Sequence, residues 1–450
     1  MNNEYDVVVM GAGIAGCMAA IAAARMGVKT LIVEQHGYPG GMLTAAGVGP
    51  MMTFHAGDKK VVQGITDELI DRMVKKKKSP GHLFDTTGYT YTVTPFDVEG
   101  MKSELEAMLL ESGCEMLYHT MLAKVATNGN EITSVTVCNK AGLSQLEGKV
   151  FIDATGDGDL SAWAGVTTTY GRPEDGLAQA MTLKLRVNGV DVEKYKQYIR
   201  EKGLKKDTSL LDKSPRLSIG AFAHIFKDAF ESGEIAHLFR GLLIFEANNS
   251  GEFIINTTRI QGLNACDPWD LTKAEIEGRR QTSILADFIV KRLPGFENAK
   301  VLHTGPNIGI RSSRQIKGLY TLTAEDMQNC VTFDDVIAHT GYPVDIHPAK
   351  GTKSSKEYAH PKWGEVRSIP YRCLVNNQIS NLVTVGRCIS ADYDAQGAIR
   401  TTPIVGAIGH AGGVGAALAV QKGLATQDIS TRDLQKLLLE QGAYLEIANR

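Results

Sequence analysis

The chain has 450 residues, 43% of them hydrophobic and 22% charged, with a formal net charge of −2. This length predicts two or three domains, and the balance excludes a disordered, fibrous or membrane-dominated chain. With so little net charge a polyanion such as nucleic acid is not an expected partner, and the basic run Lys75–Lys78 beside Ser79, Pro80 and Gly81 reads as a solvated helix end followed by a loop.

The start, Met1–Asp6, is polar, and the apolar run after it is soon broken by glycines. No uninterrupted apolar stretch approaches the roughly 20 residues that span a bilayer. Neither a signal peptide nor a membrane setting is expected. Seven cysteines, Cys17, Cys114, Cys138, Cys266, Cys330, Cys373 and Cys388, are scattered without a C-x-x-C pair. Disulfide scaffolding and zinc or iron–sulfur ligation are therefore not expected, and a reducing cytoplasm fits.

Tyr5–Met10 is a continuous β-branched run, the pattern of a buried parallel strand. It runs into Gly11, Gly13, Ala15 and Gly16, a G-x-G-x-x-G turn that allows a tight bend, close approach to a pyrophosphate, and close packing of helix on strand. The small-residue stretch from Ile14 to Met26 predicts a helix ending at Gly27. A second apolar run, VKTLIVEQ, ends at Glu34 and Gln35, where a carboxylate accepts hydrogen bonds from a ribose. The loop HGYPGGMLTAAGVG, residues 36–49 with Gly41 and Met42, resembles the loop that flavoproteins of the glutathione reductase type wrap around FAD. Val125 joins the expected cofactor contacts. In VFIDATGDGDLSAWAG, a strand from Val150 to Ala154 meets Thr155, Gly156, Asp157 and Gly158, as where such a chain returns to the nucleotide. Near the C-terminus a strand from Leu382 to Val385 reaches Gly386 and Arg387. A glycine- and alanine-rich helix then starts near Pro403, with Thr401 and Ile404 at its N-terminus. The partial positive charge there would stabilise an anionic, reduced flavin ring.

Because these pieces lie at both ends, the expected fold is α/β: a discontinuous Rossmann-like FAD-binding domain of residues 1–174 and 303–450. An inserted α+β substrate or cap domain occupies residues 175–302. That insert is more charged, loses the glycine punctuation, and carries amphipathic stretches such as DVEKYKQYIREKG and WDLTKAEIEGRRQTSILADFIVKRL.

Together the glycine turn, GYPGGMLTAAG, DATGDGDLSAWAGV, DGLAQAMTLKLRVNGVD, IGIRSSRQIKGLYTLTAEDM and the C-terminal segment through AQGAIRTTPIVGAIGHAGG resemble a family. It is that of FAD-dependent oxidoreductases related to the flavoprotein subunits of fumarate reductase and succinate dehydrogenase. The resemblance implies hydride exchange between flavin N5 and a small organic substrate, with Arg400 matching an arginine that binds a substrate carboxylate. Where those relatives carry a histidine for covalent attachment this loop has Gly40, Gly41 and Met42, so FAD is expected to be non-covalent, and His36 reads as a loop residue.

Candidate catalytic groups follow from that chemistry. The fork of Arg400 suits a planar oxyanion, and Tyr393 and Asp394 are placed to relay a proton. Arg311 and Arg314, three apart, share a face if helical. His347 shares a face with Asp345 if extended, while His339 and His55 are further acid/base candidates; no metal is expected from this local pair. There is no second glycine fingerprint and no C-x-x-x-x-C, so electrons are expected to pass between a small-molecule substrate and a diffusible or protein carrier. A homodimer suits a chain of this size. Two other readings stay open: a thiazole-synthase-like enzyme that consumes NAD, against which Cys17 points into a helix, and a flavin-binding sensor without turnover.

Overall fold

The computed structural model describes residues 4–205, 207–351 and 357–447; the first three residues of the polar start lie outside these. Strand β1 (Glu4–Met10) leads into helix α1 (Ile14–Arg25) and strand β2 (Thr30–Val33). Helices α2 (Ile65–Lys75) and α3 (Val98–Glu111) precede strand β3 (Glu115–Leu117). A meander of β4 (Met121–Asn128), β5 (Glu131–Asn139) and the long β6 (Gly142–Asp153) follows. Parallel pairing gives the order β3-β2-β1-β6. The first half of β6 pairs antiparallel with β5, and its last residues, Phe151 to Asp153, instead take up β14 (Leu382–Thr384) in parallel. The C-terminal segment thus completes the N-terminal sheet.

Strict alternation explains why an unbroken apolar run is needed. Val7, Val9, Ile32, Val150 and Ile152 face the helices. Val8, Met10, Leu31, Val33 and Phe151 face the meander through Ile132, Val135 and Val137. Both faces of the parallel sheet are covered, so neither tolerates polar residues.

A second, wholly antiparallel sheet has the order β8-β9-β10-β7-β11. Its strands are β7 (Leu185–Asn188), β8 (Ser218–Ala221), β9 (Leu242–Glu246), β10 (Phe253–Ile255) and β11 (Lys300–Thr304). One face packs on α4 (Val192–Glu201), α5 (Ala223–Glu231) and α6 (Pro268–Arg292) through a core of its own that includes Val187, Phe226, Ile244, Phe253 and Phe288. Asp191 and Asp267 cap α4 and α6, accepting from the amides of Lys194 and of Trp269 and Asp270. The opposite face, carrying Lys184 and Arg186 by the two-residue period, turns toward the nucleotide-binding half, where Ile254 meets Gly49 and Phe96.

Between the sheets and the C-terminus lie β12 (Val336–Thr340), β13 (Arg367–Pro370), α7 (Thr402–Lys422) and α8 (Thr431–Glu440). Helix α7 crosses α1 at van der Waals distance. A Cβ at Gly409 would stand 2.1 Å from the Ala15 carbonyl oxygen, and one at Gly413 2.1 Å from that of Ala19. Small residues are required on both sides of this crossing. Contrary to the expectation from sequence, α7 is long and apolar enough to cross a membrane; 89% of its most apolar window is buried inside the protein, where it serves as a core helix. Residues 75–78 are exposed at the end of α2, where Lys76 reaches Glu104.

Candidate active site

The turn after β1 is closed by backbone. Gly11 has φ +103°, and a Cβ there would stand 2.5 Å from the Ala154 carbonyl oxygen; a Cβ at Gly16 would stand 1.9 Å from the Gly11 oxygen. Both glycines are required by the fold itself. Gly13 differs: its φ is −63°, and a Cβ would meet nothing nearer than Gly41 Cα at 3.9 Å. The fold leaves room for a side chain there, so the missing Cβ keeps a surface clear for a ligand. The Gly40 amide donates to the Ala12 oxygen at 2.7 Å, laying the 36–49 loop on this turn, with Met42 in its short 3₁₀ segment. The buried Glu34 carboxylate accepts from the amides of Ala12 (2.7 Å) and His36 (2.9 Å). It braces turn and loop, and Gln35 beside it is exposed. Val125 is half-buried on β4 opposite Val135. Cys17 is fully buried and donates to the Ala12 oxygen, and burial followed by the Glu34 charge pushes its thiol up.

The opposite wall comes from the ends of β6 and β14. Asp153, fully buried, accepts from the amides and hydroxyls of Thr155 and Ser161 and so fixes the path into Gly156 and Asp157. Arg387, following Gly386, pairs with Asp157 at 2.6 Å across Gly156, while its Nε is buried without a partner among the described residues. Gly386 lies against Ala15, and Ile404 is buried in the first turn of α7. No side chain caps that helix: Thr401 holds the N-cap position, and its hydroxyl is buried and unpartnered among the described residues. A 21-residue helix with free first-turn amides beside an orphaned hydroxyl is an anion-accepting end. These groups fit a dinucleotide carrying a ring that becomes anionic.

Beside that helix end the structure gathers groups from four distant segments. Asp345 Oδ2 accepts from Arg400 Nη2 (3.1 Å), His347 Nε2 (3.1 Å) and Tyr342 Oη (3.2 Å). Burial opposes its charge, but His347, Arg400 and Arg311 together hold its carboxyl well below the usual range. Because an ionised carboxylate only accepts, the His347 proton sits on Nε2 and Nδ1 carries the lone pair. Burial, then Arg311, pushes His347 down to about 3. Arg311, donating to the Ala180 carbonyl, is pushed down to about 9 by burial and then by Arg400. Gln179 and Gln396, both buried, hold this group from behind. Gln179 accepts from the His347 amide and donates to Gln396, which donates to the Arg311 carbonyl. Arg400 Nε and Arg259 Nη1 are buried without partners among the described residues.

Lys184 completes the cluster and was not foreseen. It is only 7% exposed, and burial, followed by Arg311 and Arg400, drives its amine well below the ordinary value. Its signal in the sequence is one charge in an otherwise uncharged stretch, LAQAMTLKL. Gln179 lies in the same stretch. Tyr89, whose phenol is raised by burial and by Asp345, carries no such signal.

Other expectations are corrected. Arg314 begins a strand (Arg314–Ile316) paired with Thr168–Tyr170, so it is not helical with Arg311 and turns away to Asp157 and Asp159. Asp394 Oδ2 accepts from the Tyr358 hydroxyl at 2.5 Å, a partner the sequence did not suggest. The Tyr393 hydroxyl is buried and unpartnered among the described residues, and burial pushes it to about 12. His55 stands with Thr92 and His82, and is pushed to about 4 by burial and then by His82; it does not reach the arginine cluster. His339 is a structural residue, accepting at Nε2 from the Glu446 amide at 2.8 Å.

A Rossmann-type sheet, a glycine turn held open at Gly13, and an uncapped helix end beside buried cations define a dinucleotide-binding redox protein. The chain belongs to the FAD dependent oxidoreductase family, whose profile it matches over residues 6–438. Its cofactor is FAD and it is an enzyme. Thiamine thiazole synthase of Aeropyrum pernix is 35% identical over 134 residues, 29% of this chain and 43% of that protein. Digeranylgeranylglycerophospholipid reductase 1 of Methanococcoides burtonii is 25% identical over 210 residues, 44% of this chain and 48% of its own length. The chain thus spans less than half of these curated relatives. A triple mutant of the flavin-dependent brominase Bmp2 superposes with a TM-score of 0.50 at 12% identity, over 97% of this chain and 84% of that one, and shares the fold.

Proposed function

We propose that the chain oxidises or reduces a small organic carboxylate by hydride transfer, in the manner of the fumarate reductase relatives that its motifs resemble. When bound, FAD supplies hydride exchange at N5. In this reading Gly11, Gly13, Ala15, Gly16, Gly41 and Met42 line the pyrophosphate and ring approach, Glu34 and Gln35 the ribose end, and Val125 the adenine end. Gly156, Asp157, Gly386, Arg387, Thr401 and Ile404 form the far wall.

The observation that carries the proposal is the convergence of Arg311 and Arg400 on one carboxylate, Asp345, beside the N-terminus of α7. Two guanidinium groups against one acid leave an excess of buried positive charge, which an incoming carboxylate neutralises. Arg400 and Arg311 orient it, and Tyr393, protonated at neutral pH, donates or recovers the proton at Oη. His347, neutral and held by Asp345, keeps that carboxylate aimed at Arg400. The thiazole-synthase-like reading needs a thiol or a metal-held sulfur source, and Cys17, the one cysteine in the glycine turn, is fully buried. The insert belongs to the same proposal as the substrate-facing domain, with a separate diffusible or protein electron carrier. The seven free cysteines support a reducing, cytoplasmic setting. Anaerobic titration of the flavoprotein with small carboxylates tests the reading through absorbance at about 450 nm, where oxidised flavin absorbs. Bleaching or reoxidation by one of them is expected; a panel that leaves the spectrum unchanged in both directions overturns it.

A further inference from the structure

Three short segments, 180–183, 259–261 and 308–311, lie side by side at the arginine cluster. Met181 and Ile260 exchange backbone hydrogen bonds at 2.8 and 3.0 Å, and Thr182 and Gly309 at 3.0 and 2.8 Å, so both pairings are antiparallel, with 180–183 in the middle. Met181, Leu183, Ile260, Ile308 and Ile310 pack together with Ala274 of α6. By the two-residue period Ala180, Thr182, Arg259, Gln261 and Arg311 belong to the opposite face. The register sets Arg259 across from Thr182 and Arg311 across from Ala180, so the two guanidinium stems leave one face on either side of the middle segment. Hydrogen bonds tie that face to the cluster. Arg311 donates to the Ala180 carbonyl, and Gln261 Nε2 donates to the Pro348 oxygen at 2.8 Å, one residue from His347. His347 and Arg400 both reach Asp345 at 3.1 Å. Arg259 stands between these two anchors. Gln281 of α6 fixes its backbone from outside, accepting from the Arg259 amide at 2.8 Å and donating to its carbonyl oxygen at 3.1 Å. Burial and then Arg240 push the Arg259 guanidinium down, and the charge of Asp345 opposes them.

Two donors at this place are idle: Arg259 Nη1 and Arg400 Nε are buried and have no acceptor among the described residues. A buried charged donor left unmade is costly, and Asp345 Oδ2 already accepts from Arg400 Nη2, His347 and Tyr342. We propose that Arg259 is a substrate-binding residue supplied by the insert, its Nη1 gripping the carboxylate that Arg400 Nε grips from the nucleotide-binding half. The inference rests on the carboxylate reading above and adds to it the residue through which the insert takes part. No covalent bond forms or breaks; two charge-assisted hydrogen bonds satisfy two orphaned donors. The bound anion then bridges residues 259 and 400, and so holds the insert to the rest of the chain.

Calorimetry of the FAD-bound enzyme with acetate, oxalate and benzoate, which are redox-inert probes, tests this. Arg259→Ala is expected to retain FAD and to bind these anions about 10- to 100-fold more weakly than wild type, the loss of one charge-assisted hydrogen bond. Methylguanidinium added to Arg259→Ala is expected to restore part of the affinity and to leave wild type unchanged, a response that a merely structural arginine does not give. Because both donors serve one anion, Arg259→Ala is also expected to cost less in an Arg400→Gln background than in wild type. Anion affinity undiminished in Arg259→Ala, or diminished and not restored by methylguanidinium, overturns the assignment. Should Arg259→Ala not hold FAD, Arg259→Gln, which keeps most of the stem, is read in its place: undiminished affinity overturns the assignment, and loss of FAD from both variants moves the guanidinium to the cofactor and overturns it too. If a carboxylate bleaches the flavin of wild type and Arg259→Ala at equal KM, the function stands and Arg259 falls. Failure of every anion to bind wild type, with no bleaching, sinks both.

Discussion

The glycine turn and the arginine cluster are built on opposite plans. The turn is local: β1, Gly11, Gly13, Gly16 and α1 are contiguous, and each glycine answers to a backbone contact or an open surface that its neighbours create. The cluster is assembled from residues 179–184, 311, 342–347 and 396–400, which only the fold brings together; an insert with its own core separates the first of these from the rest in the chain. A short stretch constrained by its own backbone leaves a pattern; one built by long-range packing leaves isolated charges.

The largest effect expected is at the turn, where the three glycines should not be equivalent. Gly16→Val places atoms within 1.9 Å of the Gly11 oxygen. It is expected to abolish flavin content and cost more than about 4 kcal/mol, seen as a collapse of the thermal melt. Gly13→Ala is expected to leave the apoprotein melt unchanged or slightly raised while weakening FAD at least tenfold, measured by flavin fluorescence titration. Equal destabilisation at both positions would show that Gly13 serves the fold and not the cofactor.

Next in size is Arg400→Gln. The guanidinium is largely buried and touches both the Asp345 carboxylate and its carbonyl. Its loss is expected to lower kcat/KM for the carboxylate substrate by a factor of about 100 or more with FAD retained. Loss of flavin instead would move Arg400 from the substrate side to the cofactor side.

The same contrast explains how far the sequence alone can be read. The βαβ unit, the discontinuous sheet and the glycine- and alanine-rich helix α7 were legible because a buried parallel strand, a phosphate turn and a small-residue helix each impose a spacing on consecutive residues; that α7 crosses α1 through Gly409 and Gly413 was not. Arg311, His347 and Arg400 were singled out one at a time, but their meeting at Asp345 was not, since nothing in LAQAMTLKL or GYPVDIH records the distance between them. His55 was drawn into the site by chain proximity to the cofactor loop, whereas in the fold it stands with His82 and Thr92. Arg314 was misread because three-residue spacing suggests a helix face, whereas pairing with Thr168–Tyr170 makes the segment a strand.

Asp345→Asn sharpens the comparison from the other side. Removing the one acid leaves Arg400 and Arg311 uncompensated, and the apoprotein is expected to lose about 3 kcal/mol. An external carboxylate can then replace the missing charge, so added acetate is expected to raise the variant's melting temperature by more than it raises that of wild type. An equal rise in both would mean that Asp345 does not compete with the ligand for the cations.

The smallest effect separates the two regions by pH. His410, on α7 behind the glycine crossing, is 1% exposed, donates from Nε2 to Gln441 Oε1 at 2.7 Å, and is pushed down to about 4 by burial. Its unfolded form titrates near the ordinary value of about 6.5, so as pH falls the unfolded chain takes the proton first. The contribution of His410 is therefore complete above about pH 6.5 and is lost on descent toward about 4, at about 1.4 kcal/mol per pH unit. His410→Gln, which keeps a donor toward Gln441, is expected to flatten the acid limb of the stability curve by one proton. His347 loses its contribution in the same direction, down to about 3, but it faces Arg311 and Asp345. A carboxylate bound among those arginines should change the His347 share and leave the His410 share untouched. Denaturant melts across this range, with and without acetate, in wild type and His410→Gln, read the two shares separately. An acid limb that responds to acetate equally in both proteins, with the His410 difference preserved, places the ligand at the assembled cluster rather than along α7.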